Sequence, residues 1–141
     1  MENVIINFDL VKISTEQFAV FKENFHSEGN INLNTSLTFG LNTVDKIFVV
    51  TPKYIFECDD KPIIIIQVNC FFKIEDKAWI SFVKGKKISF PKKFVAHMAM
   101  ITVGTSRGVL HTKTENTIFN EFVLPTLNVA AMIEKNVDFD I

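Results

Sequence analysis

The sequence is poor in the residue types that build covalent or polar sites: it has two cysteines, one tryptophan and one tyrosine among 141 residues. It also lacks an excess of one charge, since 15 Lys and Arg face 16 Asp and Glu. A dedicated nucleic-acid surface is therefore not expected, because a strongly basic field is what attracts phosphates. No apolar stretch approaches the ~20 residues of a membrane-spanning helix, and residues 1 to 4 lack the features of a signal peptide. We expect a cytoplasmic protein.

The two cysteines are predicted to be free, mostly buried thiols. Cys58 and Cys70 lie on neighbouring arms of one predicted hairpin, whose turn falls near Asp60. This register places Cys70 opposite residue 51, roughly 20 Å from Cys58, which is well beyond disulfide reach.

The sequence shows no arrangement that a catalytic or metal site would need. Neither cysteine lies in a CxxC motif or beside a histidine, and metal-ligand spacing is absent among His26, His97 and His111. The carboxylate pairs at 59–60 and 138–140 lie at a predicted turn and in the tail, where no fixed acid–base geometry is held. Residues 104–108 hint at a phosphate loop but follow a predicted helix, where the dipole disfavours anions. We expect no enzyme activity, no metal and no cofactor.

Phenylalanine is the abundant aromatic residue, with 15 copies in a chain that is 48% hydrophobic. Phe brings apolar area without a polar group, and a domain of this size has limited interior volume. The surplus favours subunit contacts or an exposed apolar groove. We predict a single domain over residues 1 to 141 that forms a homo-oligomer.

Four segments are predicted to be strands. Residues 31 to 41 alternate apolar and polar side chains, which is typical of a half-buried strand in an antiparallel sheet. A second strand covers 47–58, and a bulge or an edge is expected at Pro52, because proline cannot donate to a ladder. A third begins at residue 63, buried on both faces, and continues to Ile74. An earlier strand covers 3–13.

The helices are predicted around this sheet. Residues 14 to 28 are either a short helix or a loop. Asp76 begins a short helical turn, and Pro91 opens a longer helix that ends near Gly108. A last helix covers 126–135, and the tail after it is expected to fray. The sequence therefore predicts an α+β domain.

One local basic cluster supports a rival interpretation. Trp79 and Phe90 lie near it in the sequence, and its members are Lys84, Lys86, Lys87, Lys92 and Lys93. Aromatic rings among lysines are how single-stranded nucleic acids are held, although a lysine-rich loop is usually only solvated. A single-strand nucleic-acid binder is therefore kept as the less favoured hypothesis.

Four short patterns occur in an order that resembles the SecB export chaperone family. They are Val11-Lys12-Ile13-Ser14, Phe90-Pro91 at a helix start, Ser106-Arg107-Gly108 at a helix end, and Pro125-x-x-Asn128 before a last helix. The resemblance covers most of the chain at low density and residues 90 to 133 more closely.

The resemblance implies a fold and a function. The fold would be α+β, with a four-stranded antiparallel sheet and helices packed on one face. The protein would be an ATP-independent chaperone that holds unfolded polypeptides or preproteins in hydrophobic grooves, without a cofactor. The predicted polypeptide-binding residues are Phe71, Phe72, Trp79, Phe82 and Phe94. The implied assembly is a tetramer, with subunit contacts at Met98, Ile101, Gly104 and Thr105.

Three departures from the family pattern favour an alternative. Lys92-Lys93 stands where the family has an Arg-Glu pair, and the interval from Gly108 to Pro125 is longer than usual. The family docks to SecA through an acidic sheet face, whereas this chain has a net charge of −1. The alternative is a non-catalytic adaptor on the same fold with one dedicated partner, as in toxin–antitoxin-associated chaperones.

Overall fold

The computed structural model describes residues 8 to 141, and its largest element is a four-stranded antiparallel sheet. The strands are β1 (Phe8–Val20), β2 (Ile31–Asn42), β3 (Ile47–Cys58) and β4 (Lys61–Ile74), in the order β1-β4-β3-β2. Helices pack against this sheet, so the predicted α+β architecture is confirmed. The part of the first predicted strand that precedes residue 8 lies outside the described residues.

Strand β1 is longer than predicted. It continues through Val20, so the first half of the stretch 14–28, predicted as a short helix or a loop, is strand, and the second half is a 3-10 turn at Lys22–Asn24 followed by a loop. The strand part was missed because β1 has two register irregularities, at Leu10–Lys12 and at Thr15–Gln17. Each irregularity breaks the two-residue alternation by which a strand is recognised in a sequence.

The prediction of a bulge or an edge at Pro52 is also wrong. Pro52 lies in β3, which is paired on both sides, and the register with β4 is the same at Val50 and at Lys53. The proline has no N–H to donate, and the Thr51 hydroxyl beside it donates to Asn69 Oδ1 at 2.7 Å. A side-chain hydrogen bond therefore ties β3 to β4 where the backbone ladder is open.

The long helix α2 (Lys92–Thr114) packs on β3 and β4 and covers the core. It begins after Pro91, as predicted, but continues past the expected end at Gly108. Gly108 is exposed, and a single helical glycine costs only about 1 kcal/mol, so the helix continues. Three buried hydroxyl groups on α2 donate to backbone oxygens four residues earlier, at 2.7 to 2.8 Å; they belong to Thr102, Ser106 and Thr114.

A second, three-stranded sheet corrects the expectation that the tail of the chain is frayed. The short helix α1 (Asp76–Phe82) is followed by β5 (Val83–Lys84) and β6 (Lys87–Phe90), and the last strand β7 (Val137–Asp140) pairs with β6. The tail is thus a strand rather than frayed, because Phe139 packs against the core rings, with its centroid 5.9 Å from that of Phe48.

The predicted last helix is reduced to α3, the four residues Val129–Met132. Arg107 keeps the preceding segment extended, since its side chain donates to the main-chain oxygens of Leu124 and Pro125, both at 2.9 Å. Among the described residues, none of the helices has the length and hydropathy to cross a membrane.

Candidate functional site

Helix α2 covers only the middle of the sheet, so apolar side chains of both edge strands stay partly exposed. On β1, Leu10 is 38% and Ile13 is 49% exposed. On β2, Ile31 is 42% exposed, and the side chains that follow it on the same face are half-buried: Leu33, Leu37, Phe39 and Leu41. A trough therefore lies along each edge strand.

The first trough, here called the β1 groove, lies between β1 and the exposed side of α2. Its volume is about 470 Å³, and it is lined by Thr15, Thr105, Gly108, Val109, Thr112 and Lys113. Beyond this groove, at the start of β1, the Phe8 ring lies 5.5 Å from the His97 ring. Residues 97 to 112 of a helix span about 22 Å and residues 8 to 15 of a strand about 23 Å, so the two elements run side by side.

The second trough, here called the β2 groove, lies between β2 and the C-terminal segment. Its volume is about 640 Å³, and Phe39 faces residues 132 to 138 across it. Met132 is 40% exposed and adds apolar surface to that wall. The wall also carries Glu134, Lys135 and Asp138, so its mouth has charges of both signs.

Both grooves are bordered by long edge strands. Within residues 8 to 141, no strand pairs with the outer edge of β1, which has 13 residues, or of β2, which has 12. An edge of this length presents a row of N–H and C=O groups to which another extended chain can add.

The predicted polypeptide-binding residues do not line these grooves. Phe72, Trp79, Phe82 and Phe94 are between 0% and 7% exposed and belong to one core cluster. Phe71 is half-buried on the opposite face of the sheet, where Lys12 Nζ lies 5.2 Å from its ring centroid. The alternation over residues 31 to 41 predicted a row of apolar side chains on one face of β2. The sequence did not show how much of this row α2 would cover.

The predicted subunit contact falls on a mixed set of positions. Met98 is fully buried in the core of its own chain. Ile101 and Thr105 are half-buried, and Gly104 is exposed with open space where a Cβ would lie. Subunit contact through the exposed side of α2 stays a prediction.

The two aromatic rings near the lysine cluster are not accessible to nucleic-acid bases. Its five lysines are exposed, but Trp79 is only 7% exposed and Phe90 is fully buried. Base stacking needs an accessible ring face, so this pair of rings does not support the nucleic-acid hypothesis.

One buried hydroxyl stands out beneath α2. Tyr54 is fully buried, and its hydroxyl lacks a hydrogen-bond partner among the described residues. Burial raises the pKa of Tyr54 to about 12, and the nearby Ser106 hydroxyl partly opposes this rise. The Ser106 hydroxyl donates its own hydrogen to the main-chain oxygen of Thr102, and the Tyr54 hydroxyl stays protonated at neutral pH because its pKa is raised.

The structure also brings together three side chains that the sequence did not connect. His26, Cys58 and Asp59 place their ligand-type atoms within 4.8 Å of one another. Cys58 and His26 are 32 residues apart in the chain, and no spacing motif links them. Both cysteines are free thiols and buried, as predicted.

Comparisons with known proteins give a structural likeness and no likeness in sequence. No family model and no curated protein matches the sequence. Among solved structures, the chain is similar to the Mycobacterium tuberculosis Rv1957 SecB-like chaperone, which was solved in complex with a ChAD peptide from the Rv1956 HigA1 antitoxin. The TM-score is 0.48 and the identity 9%, over 87% of this chain and 90% of that one. This is a similarity and does not make the chain a member of that protein's family.

Proposed function

We propose that this protein binds extended apolar segments of other polypeptides, without catalysis, as a chaperone or adaptor. The observation that carries the proposal is the apolar row of β2, which is half exposed beside an open groove and next to a free strand edge. The β2 groove is the proposed site, with Phe39 on one wall and Met132 on the other.

An extended client would match this site in two ways. Its backbone can pair with the outer edge of β2, which is independent of the client's sequence. Every second client side chain then points towards the groove, and burying one Leu or Phe there contributes roughly 1.5 to 3 kcal/mol. Binding would therefore favour apolar segments but tolerate many sequences.

The finer proposal is an ATP-independent holding chaperone for unfolded polypeptides or preproteins. Docking to SecA is not part of it, since a net charge of −1 provides no overall acidic field.

A second candidate is an adaptor with one dedicated partner, such as a toxin–antitoxin-associated chaperone. The charged mouth of the β2 groove favours it, because Glu134, Lys135 and Asp138 can reject clients with mismatched charges.

The test is light scattering on a sizing column with two unrelated, slowly folding polypeptides, each added unfolded. Co-elution of both with the protein supports a general holding chaperone. If neither unfolded polypeptide co-elutes, a general holding function is excluded, and only a dedicated partner remains to be sought.

Two variants then locate the site. F39D and M132D place a charge on opposite walls and should each weaken client binding at least about tenfold, because 1.4 kcal/mol corresponds to a factor of ten. The matched control is S36D, on the exposed outer face of the same strand. Equal binding by all three variants would place the client elsewhere.

A further inference from the structure

The three side chains His26, Cys58 and Asp59 meet where β3 turns into β4. His26 Nε2 lies 2.5 Å from Asp59 Oδ2, and Cys58 Sγ lies 3.6 Å from the main-chain oxygen of His26. Cys58 is 1% exposed, whereas the side chains of His26 and Asp59 are 58% and 47% exposed. The sulfur thus forms the floor of the cluster, and the imidazole and carboxylate form its rim.

Backbone hydrogen bonds hold the carboxylate in place. The N–H of Asp59 donates to the oxygen of Asn30 at 2.9 Å, and the N–H of Asn30 donates back to Asp59 Oδ1 at 3.0 Å. This reciprocal pair leaves Oδ2 directed at His26. The N–H of Asn30, and then the His26 ring, lower the pKa of Asp59.

The loop that carries His26 is shaped around the sulfur. Its turn is closed by Gly29, whose N–H donates to the oxygen of His26 at 3.1 Å. A Cβ at position 29 would lie 2.1 Å from Cys58 Sγ, so only glycine lets the backbone come this close. The sulfur, at the margin of the buried core, is therefore in direct contact with the loop that carries His26.

We propose that His26, Cys58 and Asp59 bind a divalent transition-metal ion of the Zn²⁺ type. Thiolate sulfur, imidazole nitrogen and carboxylate oxygen form a ligand set that suits zinc, at about 2.3, 2.0 and 2.1 Å respectively. In a tetrahedral site the ligand atoms are roughly 3.5 Å apart. All three atoms already lie within 4.8 Å of one another, and metal binding would replace the direct hydrogen bond between His26 and Asp59, whose atoms would move apart by about 1 Å.

Metal binding would replace the proton on the Cys58 sulfur and would leave one coordination position of the metal open. The Cys58 thiol gives its proton to solvent as the metal–sulfur bond forms. Three protein ligands leave the fourth position of a tetrahedral ion for water or another donor. The hydrogen bond between Asn30 and Asp59 Oδ1 would orient the carboxylate from outside the coordination shell.

The alternative is that His26 and Asp59 form only a surface hydrogen bond above an inert thiol. The two cases differ in whether the sulfur takes part. Co²⁺ reports this directly, because a cobalt–thiolate bond gives a charge-transfer band in the near ultraviolet and tetrahedral Co²⁺ gives visible bands.

The experiment is a Co²⁺ titration of the untagged full chain, followed by displacement with Zn²⁺. We expect one Co²⁺ per chain, a thiolate band, and loss of that band when Zn²⁺ is added. C58S should abolish the band, and H26Q and D59N should each weaken binding at least about tenfold, since even outer-shell partners are worth 10- to 100-fold.

Two controls are matched to these variants. C70S removes the other buried thiol, and D60N changes the exposed carboxylate beside Asp59; both should bind Co²⁺ as the unmodified chain does. If C58S does not fold, H26Q and D59N still test the site, because both change exposed side chains. A missing thiolate band in the unmodified chain, or a band that survives in C58S or disappears in C70S, overturns the proposal.

Discussion

At the scale of single residues, the buried hydroxyl of Tyr54 is the clearest unfavourable feature of the core. Burying a hydroxyl without a partner costs free energy that a hydrogen bond to water supplied in the unfolded chain. The ring itself is well packed, with 0% exposure, between the sheet and α2. The cost therefore belongs to the oxygen and not to the aromatic ring.

Replacing Tyr54 by Phe removes that oxygen and keeps the ring. We expect Y54F to raise the free energy of unfolding by about 1 kcal/mol, because the unsatisfied group disappears. Urea denaturation with an unchanged slope measures it. A loss of stability in Y54F would show that the hydroxyl has a partner after all, and Y54A should lose about 3 to 5 kcal/mol as a cavity control.

The pKa of Tyr54 also predicts a pH dependence. Its value is raised from 10.0 to about 12 in the folded chain, so the unfolded chain loses this proton first. This group therefore leaves the free energy of unfolding unchanged with pH below pH 10, and it lowers that free energy as the pH rises from 10 to 12. Denaturation over this interval should show a steeper loss in the unmodified chain than in Y54F. Identical slopes would contradict the assignment.

The close approach of Gly29 to Cys58 gives a second prediction at this scale. G29A should lower the free energy of unfolding by about 1 to 3 kcal/mol, because the new Cβ overlaps the sulfur. Combining it with C58A removes the obstacle, so the double variant should be more stable than the sum of the two single effects. Additive effects would mean that the two residues are not in contact.

At the scale of elements, the segments with a clear local sequence pattern could be predicted. The segments whose conformation depends on contacts with distant parts of the chain could not. Strand β2 followed from its alternation because one face is half-buried along its whole length. Strand β1 was cut short at residue 13 because two irregularities shift its register. The end of α2 was predicted too early because glycine is common at helix ends, although in the folded chain Gly108 is an exposed residue within the helix.

Strand β7 and the grooves depended on contacts that no local pattern reveals. The tail becomes a strand because β6 offers it a partner and Phe139 reaches the core. The choice of aromatic groove residues failed to find the exposed surface, since the ring of Phe72 or Phe94 is apolar in the same way in a core as in a groove. The position of α2 decides which apolar side chains of the sheet are buried and which stay exposed.

Arg107 links two elements and gives a prediction at this scale. R107A removes two charged-group hydrogen bonds to the segment at Leu124 and Pro125, and should cost about 1.5 to 3 kcal/mol. Amide exchange after residue 124 should also increase. K113A, at an exposed position of the same helix, is the control and should change neither.

At the scale of the whole molecule, the exposed side of α2 is the surface on which the predicted assembly depends. It combines small residues with Met100, which is 60% exposed. We expect a homo-oligomer, a tetramer if the SecB resemblance holds, in which this side faces another copy of the chain.

G104K tests this assembly without threatening the fold. There is open space at Gly104 for a side chain, and replacing a helical glycine by lysine should stabilise the single chain by about 0.5 to 1 kcal/mol. We therefore expect a smaller mass in light scattering together with an unchanged or higher melting temperature. S81K, at an exposed position of α1, is the control. An unchanged mass for G104K would place the subunit contact elsewhere.

The free edge of β2 also gives the protein a distinctive hydrogen-exchange pattern. In an antiparallel edge strand, only every second N–H points to its neighbour, here β3, while the others face outwards. Protection along residues 31 to 42 should therefore alternate slow and fast. A client that adds to this edge would slow the fast half alone, so the pattern reports occupancy of the edge one residue at a time.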